Sequence, residues 1–266
     1  MKILPLLSKD IKSLTELQPE EWTSIFPHLH FYLQSNICFP LKVVINQKTV
    51  GIGTTIIHHD VAWLAHIIVH PDYRNHGIGT LLTQALVDSL KQTICKTINL
   101  IATDAGARIY EKLGFKTVTN YLFFKDGTIP SDSKFSDNIV PYSSDCSDQI
   151  FELDKLVSGE NRGFRLLEHL SSSYVYKTGN KLEGYYMPGF GSGLIVARSA
   201  DAGKELMKMR LINNGIAVIP VENLNGISLL HQYNYQEFRK AKRMLLGRNR
   251  TWQPENLYNR VGGQIG

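Results

Sequence analysis

A strand-like run, a turn and a glycine-bearing helix start arrive together in Val69-His70-Pro71-Asp72-Tyr73-Arg74-Asn75-His76-Gly77-Ile78-Gly79-Thr80-Leu81-Leu82. The apolar run 65–69 enters this segment and Pro71 and Asp72 punctuate it; Leu81, Leu82, Leu86 and Leu90 then recur at helical spacing. A strand that turns through glycines into a helix gathers backbone amides at the positive end of that helix, where a diphosphate can be held. The segment therefore implies a ligand with linked phosphates, and a fold in which a strand feeds a helix at its C-terminal edge.

The elements around it constrain the sheet. Residues 1–7 read as a strand, 11–34 as helix-compatible material interrupted by Pro19 and Pro27, and 41–57 as a hairpin turning at residues 46–48. A turn at His58-His59-Asp60 leads to a further strand over 61–69, so three antiparallel strands precede the glycine turn. After a helix over 79–92 come a strand at 97–102, a short helix at 105–113 stopped by Gly114, and a strand at 115–124. That order demands an α/β fold with a mixed α+β sheet covered by helices, and not a run of parallel units. A nicotinamide dinucleotide prefers a glycine turn at the first βαβ crossover, and this turn follows an antiparallel meander.

Residues 126–148 are rich in Ser, Asp, Gly and Pro and lack periodicity, which places a boundary there. The expected division is a first domain over 1–128, a linker over 129–148 and a second domain over 149–266. The second part repeats the rhythm: a helix at 161–170, a hairpin at 173–186, a strand at 193–197, a helix at 200–213, a strand at 216–221 and a helix at 226–233. Its strand Leu194-Ile195-Val196-Ala197 runs into Arg198-Ser199-Ala200-Asp201-Ala202-Gly203, without an Arg-x-x-Gly-x-Gly turn.

Composition narrows the class. No 20-residue apolar run exists to span a bilayer, and the amino terminus has no secretory pattern. The three cysteines, Cys38, Cys95 and Cys146, include no close pair for zinc or redox chemistry, which fits a reducing cytoplasm and no metal site. A formal charge of +5 is modest for 266 residues, and the run Arg239-Lys240-Ala241-Lys242-Arg243 reads as a solvated helix face, so neither nucleic acid nor a membrane is expected as partner.

The glycine turn resembles the cofactor signature of the GCN5-related N-acetyltransferase (GNAT) superfamily, Arg or Gln-x-x-Gly-x-Gly or Ala after a Val-x-Pro strand end. The run Gly106-Ala107-Arg108-Ile109-Tyr110-Glu111-Lys112-Leu113-Gly114-Phe115 resembles that superfamily's later Ala-x-x-x-Tyr-x-x-x-Gly-Phe signature. The resemblance covers residues 1–125. The remainder resembles a subfamily with a second, degenerate acyltransferase-like domain, through Leu153-Asp154, Arg162, Gly184-Tyr185, the run 193–197 and Arg243-Met244-Leu245-Leu246-Gly247.

This resemblance implies two tandem acyl-CoA N-acyltransferase-like domains, the second degenerate, with acetyl-CoA as acyl donor. It implies that Arg74, Asn75, His76, Gly77, Ile78, Gly79 and Thr80 hold the diphosphate, and that Ile67, Ile68 and Val69 pair through their backbone with the pantetheine arm. The strand bearing them must splay from the one at 97–102 to admit the thioester. Asp104, Ala105, Gly106 and Arg108 fall near the adenosine end, while Tyr110 matches the tyrosine that approaches the sulfur and serves as general acid.

The base stays open among His58, His59, Asp60, His66 and an ordered water; Trp63 stands where some relatives carry a glutamate, and either walls the acceptor pocket or fills the core. Strict alternation sets His66 on the face opposite Trp63, Ala65 and Ile67. Tyr174, Tyr176, Tyr185, Tyr186 and Phe190 are candidates for one wall of an acceptor cleft, and Glu183 and Glu222 for attracting a cationic amine. The expected reaction is acetyl transfer to a primary amine, a small molecule before a peptide amine. The alternative is a non-catalytic acyl-CoA sensor or assembly module.

Overall fold

A computed structural model describes residues 1–212 and 215–265. Asn213, at which the predicted helix 200–213 ends, and Gly266, the end of the predicted second domain, lie outside the described residues. The chain forms two compact units, one of residues 1–116, 244–249 and 263–265, the other of 117–243 and 250–262.

In the first unit β1 (Lys2–Pro5), α1 (Phe26–Gln34), β2 (Cys38–Ile45), β3 (Lys48–His58), β4 (Val61–Val69), α2 (Ile78–Ser89), β5 (Thr97–Ala102) and α3 (Asp104–Lys112) follow one another. The second unit draws on β6 (Lys116–Lys125), β7 (Ile139–Pro141), α4 (Ser147–Ser158), α5 (Gly163–Leu167), β8 (Tyr174–Thr178), β9 (Lys181–Met187), β10 (Leu194–Ala197), α6 (Ala200–Leu211), β11 (Ala217–Pro220), α7 (Leu224–Gln232), β12 (Gln236–Gly247) and β13 (Leu257–Asn259). Both are mixed α/β bodies, as the element order requires.

The first unit's strands run in the order β1-β2-β3-β4-β5, antiparallel until β4 and β5 pair in parallel. The β2–β3 hairpin closes through Asn46 and Gln47, both with positive φ (46° and 66°), which is the two-residue turn whose twist matches the strands. Pro27 does not interrupt a helix; it sits in the first turn of α1, where no N–H is needed. Ile78, Leu82 and Leu86 of α2 are buried as the periodicity requires, and each buried aliphatic side chain contributes about 1.5–3 kcal/mol. Thr103 caps α3 by accepting from the Gly106 amide, and Gly114 (φ 89°) ends it.

Strand connectivity departs from a simple tandem. β6 follows α3 in sequence, yet its residues 117–125 belong to the second unit, paired antiparallel with β11. Residues 244–247 of β12 belong instead to the first unit, beside β5, where the Arg248 amide donates to the Lys96 carbonyl at 2.7 Å.

The basic run 239–243 is not a helix face. It lies in β12, where Ala241 and Arg243 are buried. A period of two replaces a period of 3.6, and burial of Arg243 is made tolerable by Glu160 at 3.6 Å and by the Trp252 ring 4.1 Å away.

The scattered subfamily markers meet in the second unit. Arg162 donates twice to the Asp154 carboxylate, at 2.9 and 3.0 Å, and the Tyr185 hydroxyl donates to it at 2.6 Å, all three being buried. The sequence reading missed β7, inside the segment read as a linker, α4, whose Ile150, Leu153 and Val157 form a buried stripe, and the short strand β13. The helix expected at 161–170 is shorter, α5 followed by a 3-10 turn at Leu170–Ser172. No helix among the described residues is long and apolar enough to cross a membrane.

Candidate active site

The β4–β5 ladder ends early. Among the described residues, pairing runs from Val61↔Thr97 to Leu64↔Leu100 and no further, so residues 65–69 of β4 are not paired with β5. Backbone amides and carbonyls left unpaired in this way demand another hydrogen-bonding partner. Ile67, Ile68 and Val69 lie in this splayed stretch.

A bulge breaks β4 within the same stretch. Ile52 pairs with Ile68 and Thr54 with Ala65, so Gly53 alone faces His66 and Ile67. His66 takes the extra position with φ 47°, a left-handed conformation that histidine tolerates better than most residues. The bulge also shifts the alternation. Ala62 and Leu64 before it, and Ile67 and Val69 after it, pack in one cluster with residues of α2 and α3. His66 and Ile67 thus still turn to different neighbours, as alternation requires, but the bulge brings Ile67 into the cluster of Ala62 and Leu64 and parts it from Trp63 and Ala65.

Beyond Val69 the chain makes a 3-10 turn at Pro71–Tyr73, held by the His70 imidazole, which accepts from the Asp72 amide at 3.2 Å and contacts Glu16 at 3.0 Å. Sequence reading did not single out His70; its burial and its partner 54 residues away become visible only in the fold. Arg74 donates from Nε to the Val69 carbonyl at 3.2 Å, bracing the loop, and His76 contacts the Arg74 carbonyl at 2.7 Å.

Gly77 then caps α2 with φ 77°, and a Cβ built there meets nothing within 4 Å. Glycine is favoured at 77 by backbone torsion, and the space above it is open. Gly79 answers a different demand: its Cβ would lie 3.3 Å from Ile109, so it lets α2 approach α3. Asn75 is also left-handed at φ 65°. Arg74, Asn75, His76 and Gly77 are exposed, Ile78 is buried, and Gly79 and Thr80 are half-buried. The amides of the first helical turn have no intrahelical partner and are available to an anion.

Tyr110, on α3, lies in the cluster that contains Ile67 and Val69, with its ring edge-on to Phe115 at 6.0 Å. Burial pushes its phenol up to about 12. Asp104, Ala105 and Arg108 are exposed at the start of α3. Trp63 is buried at 1% exposure within β4, a core position.

The four candidate bases separate. His58 pairs with Val61 at the opposite end of β4, and His59 and Asp60 form the adjoining turn. At about 3.3 Å per residue that end is roughly 16 Å from His66. His66 instead joins side chains from the segment before β2. Its Nδ1 is 2.8 Å from the Tyr32 hydroxyl, the His28 ring centroid is 5.0 Å away, and the Trp22 ring packs edge-on at 6.0 Å. Burial and then the charge of His28 lower His66 to about 4, while burial lowers His28 and raises the Tyr32 phenol.

The second unit lacks this arrangement. β10 enters α6 through Ser199, whose side chain accepts from the Ala202 amide at 3.4 Å, with no left-handed glycine before the helix. Between β10 and β11 lies β13, paired antiparallel with β10 (Ile195↔Asn259, Val196↔Leu257). On its other side the Arg260 amide donates to the Val218 carbonyl at 3.1 Å, and the Val218 amide donates to Asn259 Oδ1 at 2.9 Å. A Cβ on Gly203 of α6 would lie 2.1 Å from the buried Tyr258 ring. The helix glycine there seats a side chain of the chain itself.

Of the second unit's aromatics, Tyr176, Tyr185 and Phe190 are buried, and Tyr174 stacks on Tyr186 at 6.4 Å. Glu183 pairs with Lys181 at 2.7 Å, and Glu222 accepts from the Thr119 hydroxyl at 2.6 Å.

Residues 11–115 match the model of the acetyltransferase (GNAT) family. The [ribosomal protein bS18]-alanine N-acetyltransferase of Escherichia coli K12 is 35% identical over 88 residues, which are 31% of this chain and 60% of that enzyme. The cysteine-rich protein 2-binding protein of Mus musculus is 27% identical over 97 residues, 36% of this chain and 12% of that protein. The chain thus spans 60% or less of the length of these relatives.

Among solved structures, a protein from Pyrococcus horikoshii superposes with a TM-score of 0.81 at 20% identity, covering 100% of this chain and 95% of the other. A tandem GNAT protein from the clavulanic acid biosynthesis pathway superposes with a TM-score of 0.61 at 12% identity, covering 94% and 99%. At such identities the likeness speaks for the fold, and the fold is that of tandem GNAT proteins. Residues 11–115 thus match the GNAT acetyltransferase family, and the two-unit fold of the chain is that of tandem GNAT proteins.

Proposed function

We propose that this chain is a cytoplasmic N-acetyltransferase that moves the acetyl group of acetyl-CoA to a primary amine of a small molecule, with peptide amines second. The first unit carries the reaction, and the second unit is a non-catalytic companion. The observation that carries this reading is the unpaired stretch 65–69 of β4, which leads directly to the left-handed Gly77 at the start of α2. Such a track of backbone groups unpaired with β5, its last carbonyl held by Arg74, ends at the open amides of a helix start and fits a pantetheine arm followed by a diphosphate.

Acetyl-CoA, when bound, supplies the activated acetyl thioester. The amides of Asn75, Gly77, Gly79 and Thr80 receive the diphosphate, with Arg74, His76 and Ile78 shaping the loop. Ile67, Ile68 and Val69 pair through their backbone with the arm, and an amide at Ile67 or Ile68 stabilises the developing oxyanion. Tyr110 keeps its proton across the physiological range and presents it to the departing sulfur.

The test is titration of the whole chain with acetyl-CoA by calorimetry, followed by thiol release against amino acids, polyamines, aminoglycosides and short peptides, with mass detection of product. Saturable binding and an acetylated amine are expected. Absence of binding overturns the reading, and binding without product across the panel replaces it with an acyl-CoA sensor.

A further inference from the structure

We propose that the cluster formed by Trp22, His28, Tyr32 and His66 receives the acceptor amine, that His66 takes its proton, and that the acceptors are amines of low basicity, α-amino groups first among them. This rests on the acetyl-transfer reading and names the acceptor side of that same site.

Position comes first. His66 sits in the stretch of β4 that β5 leaves unpaired, one residue before Ile67. A left-handed histidine in a bulge is held there by its surroundings, and bulges of this kind re-aim a side chain beside a site. Ile67, Val69 and Tyr110 pack together with α2 and α3, whereas His66 turns to Tyr32 and His28 of α1, neither of which belongs to that cluster. An acceptor at His66 thus meets the thioester track from the side that Tyr110 does not occupy. Trp22, 37% exposed, opens the cluster to solvent.

Chemistry comes second. The groups facing His66 are His28 and Tyr32 from α1 and Trp22 from the segment before it, and among the described residues no carboxylate is ion-paired with either imidazole. Both imidazoles are held below their ordinary value by burial, so the cluster is uncharged at neutral pH. It offers an ammonium no counter-charge and favours an amine that already has a free base. With ordinary values near 7.7–8.0 for an α-amine and 10.4 for an ε-amine, the free base of the first is roughly 300 times more abundant at neutral pH.

With Nδ1 donating to the Tyr32 oxygen, the Nε2 lone pair faces the amine, and Tyr32 is a positioning residue. The amine nitrogen bonds to the acetyl carbon and the C–S bond breaks with its electron pair on sulfur. The amine's proton goes to His66 Nε2, and the thiolate takes a proton from Tyr110.

The experiment compares L-alanylglycine with Nα-acetyl-lysine amide on the full chain. It uses His66→Asn, which retains tolerance of the left-handed backbone, and Tyr32→Phe. Expected are a kcat/KM at least about tenfold higher for the α-amine and a loss of about 10²-fold in kcat for His66→Asn with the acetyl-CoA KM within about twofold. Tyr32→Phe should displace the acidic limb of the pH profile.

In parallel, carbon-13-labelled imidazole signals are followed as L-alanylglycine is added to the chain saturated with coenzyme A. Movement of the His66 and His28 signals supports the assignment, and unmoved signals overturn it. Equal use of the ε-amine overturns the acceptor class, and an unchanged kcat for His66→Asn overturns the proton role. If the imidazoles respond but no acetylated product forms, the acetyl-transfer reading fails while the amine site stands; product with unmoved imidazoles gives the reverse.

Discussion

The Tyr32 hydroxyl lies 2.8 Å from Nδ1 of His66, a contact that joins the middle of α1 to a bulge in β4 across 34 residues of sequence. It holds an imidazole beside the backbone stretch that β5 leaves unpaired. Burial then keeps that imidazole neutral, so a group that titrates near pH 6.5 in a free chain does so near 4 here.

That shift carries a sign for stability. Between pH 6.5 and about 4 the unfolded chain protonates at His66 while the folded chain does not, so the unfolded state binds more protons and stability falls as pH falls. Above 6.5 the group adds no pH dependence. The ceiling is about 3 kcal/mol. Urea unfolding at pH 7.0 and 4.5 should show a larger loss in the parent than in His66→Asn; parallel losses would remove His66 from the linkage.

Tyr110→Phe should lower kcat by about 10²-fold or more, the span of a lost acid, while acetyl-CoA affinity by calorimetry stays within about twofold. Tyr110 lies in the same apolar cluster as Ile67 and Val69 and packs edge-on to Phe115, so the ring of phenylalanine preserves the cluster. An unchanged rate, with chemistry shown to be limiting, rejects Tyr110 as the acid.

Gly77 and Gly79 should respond differently to substitution. Gly77→Ala meets open space and costs about 1–2 kcal/mol through its left-handed backbone, whereas Gly77→Glu places bulk and negative charge where the diphosphate is expected and should abolish acetyl-CoA binding. Gly79→Ala must displace Ile109 and should lower the melting temperature. Normal affinity in Gly77→Glu would remove the phosphate-loop assignment.

The chain should bind one acetyl-CoA. β13 lies between β10 and β11, and the Tyr258 ring occupies the space over Gly203, so the second unit has neither a free strand edge nor a free helix glycine there. Calorimetry should give a stoichiometry near one, and Gly77→Glu should abolish it entirely. Residual saturable binding in that variant would show a second site.

Asp154→Ala should destabilise the chain by about 3–5 kcal/mol, since it leaves the Arg162 guanidinium without the carboxylate that accepts two of its bonds. Tyr185→Phe removes one hydrogen bond to that carboxylate and should cost about 1–3 kcal/mol. Chemical denaturation reads both, and a change below about 0.5 kcal/mol for Asp154→Ala would assign the ion pair no structural weight.

Much of this protein is legible from local pattern. Period-two and period-3.6 runs mark β4, α2, β5 and α3, and two glycine-bearing signatures raise the expectation of a diphosphate loop and single out Tyr110 before any fold is known. Those features depend on a few neighbouring residues, so torsional preference and side-chain periodicity determine them directly.

Contacts between distant segments decided the rest. The extra residue at His66 is invisible in the sequence, because a bulge exists only relative to the Gly53 it faces. β12 resembled a charged helix until Glu160 and Trp252, supplied from elsewhere, made burial of Arg243 tolerable. The divergence of the second half was readable as a missing motif. That β13 takes the place between β10 and β11 was not, since a three-residue strand acquires its meaning from the edges it pairs with.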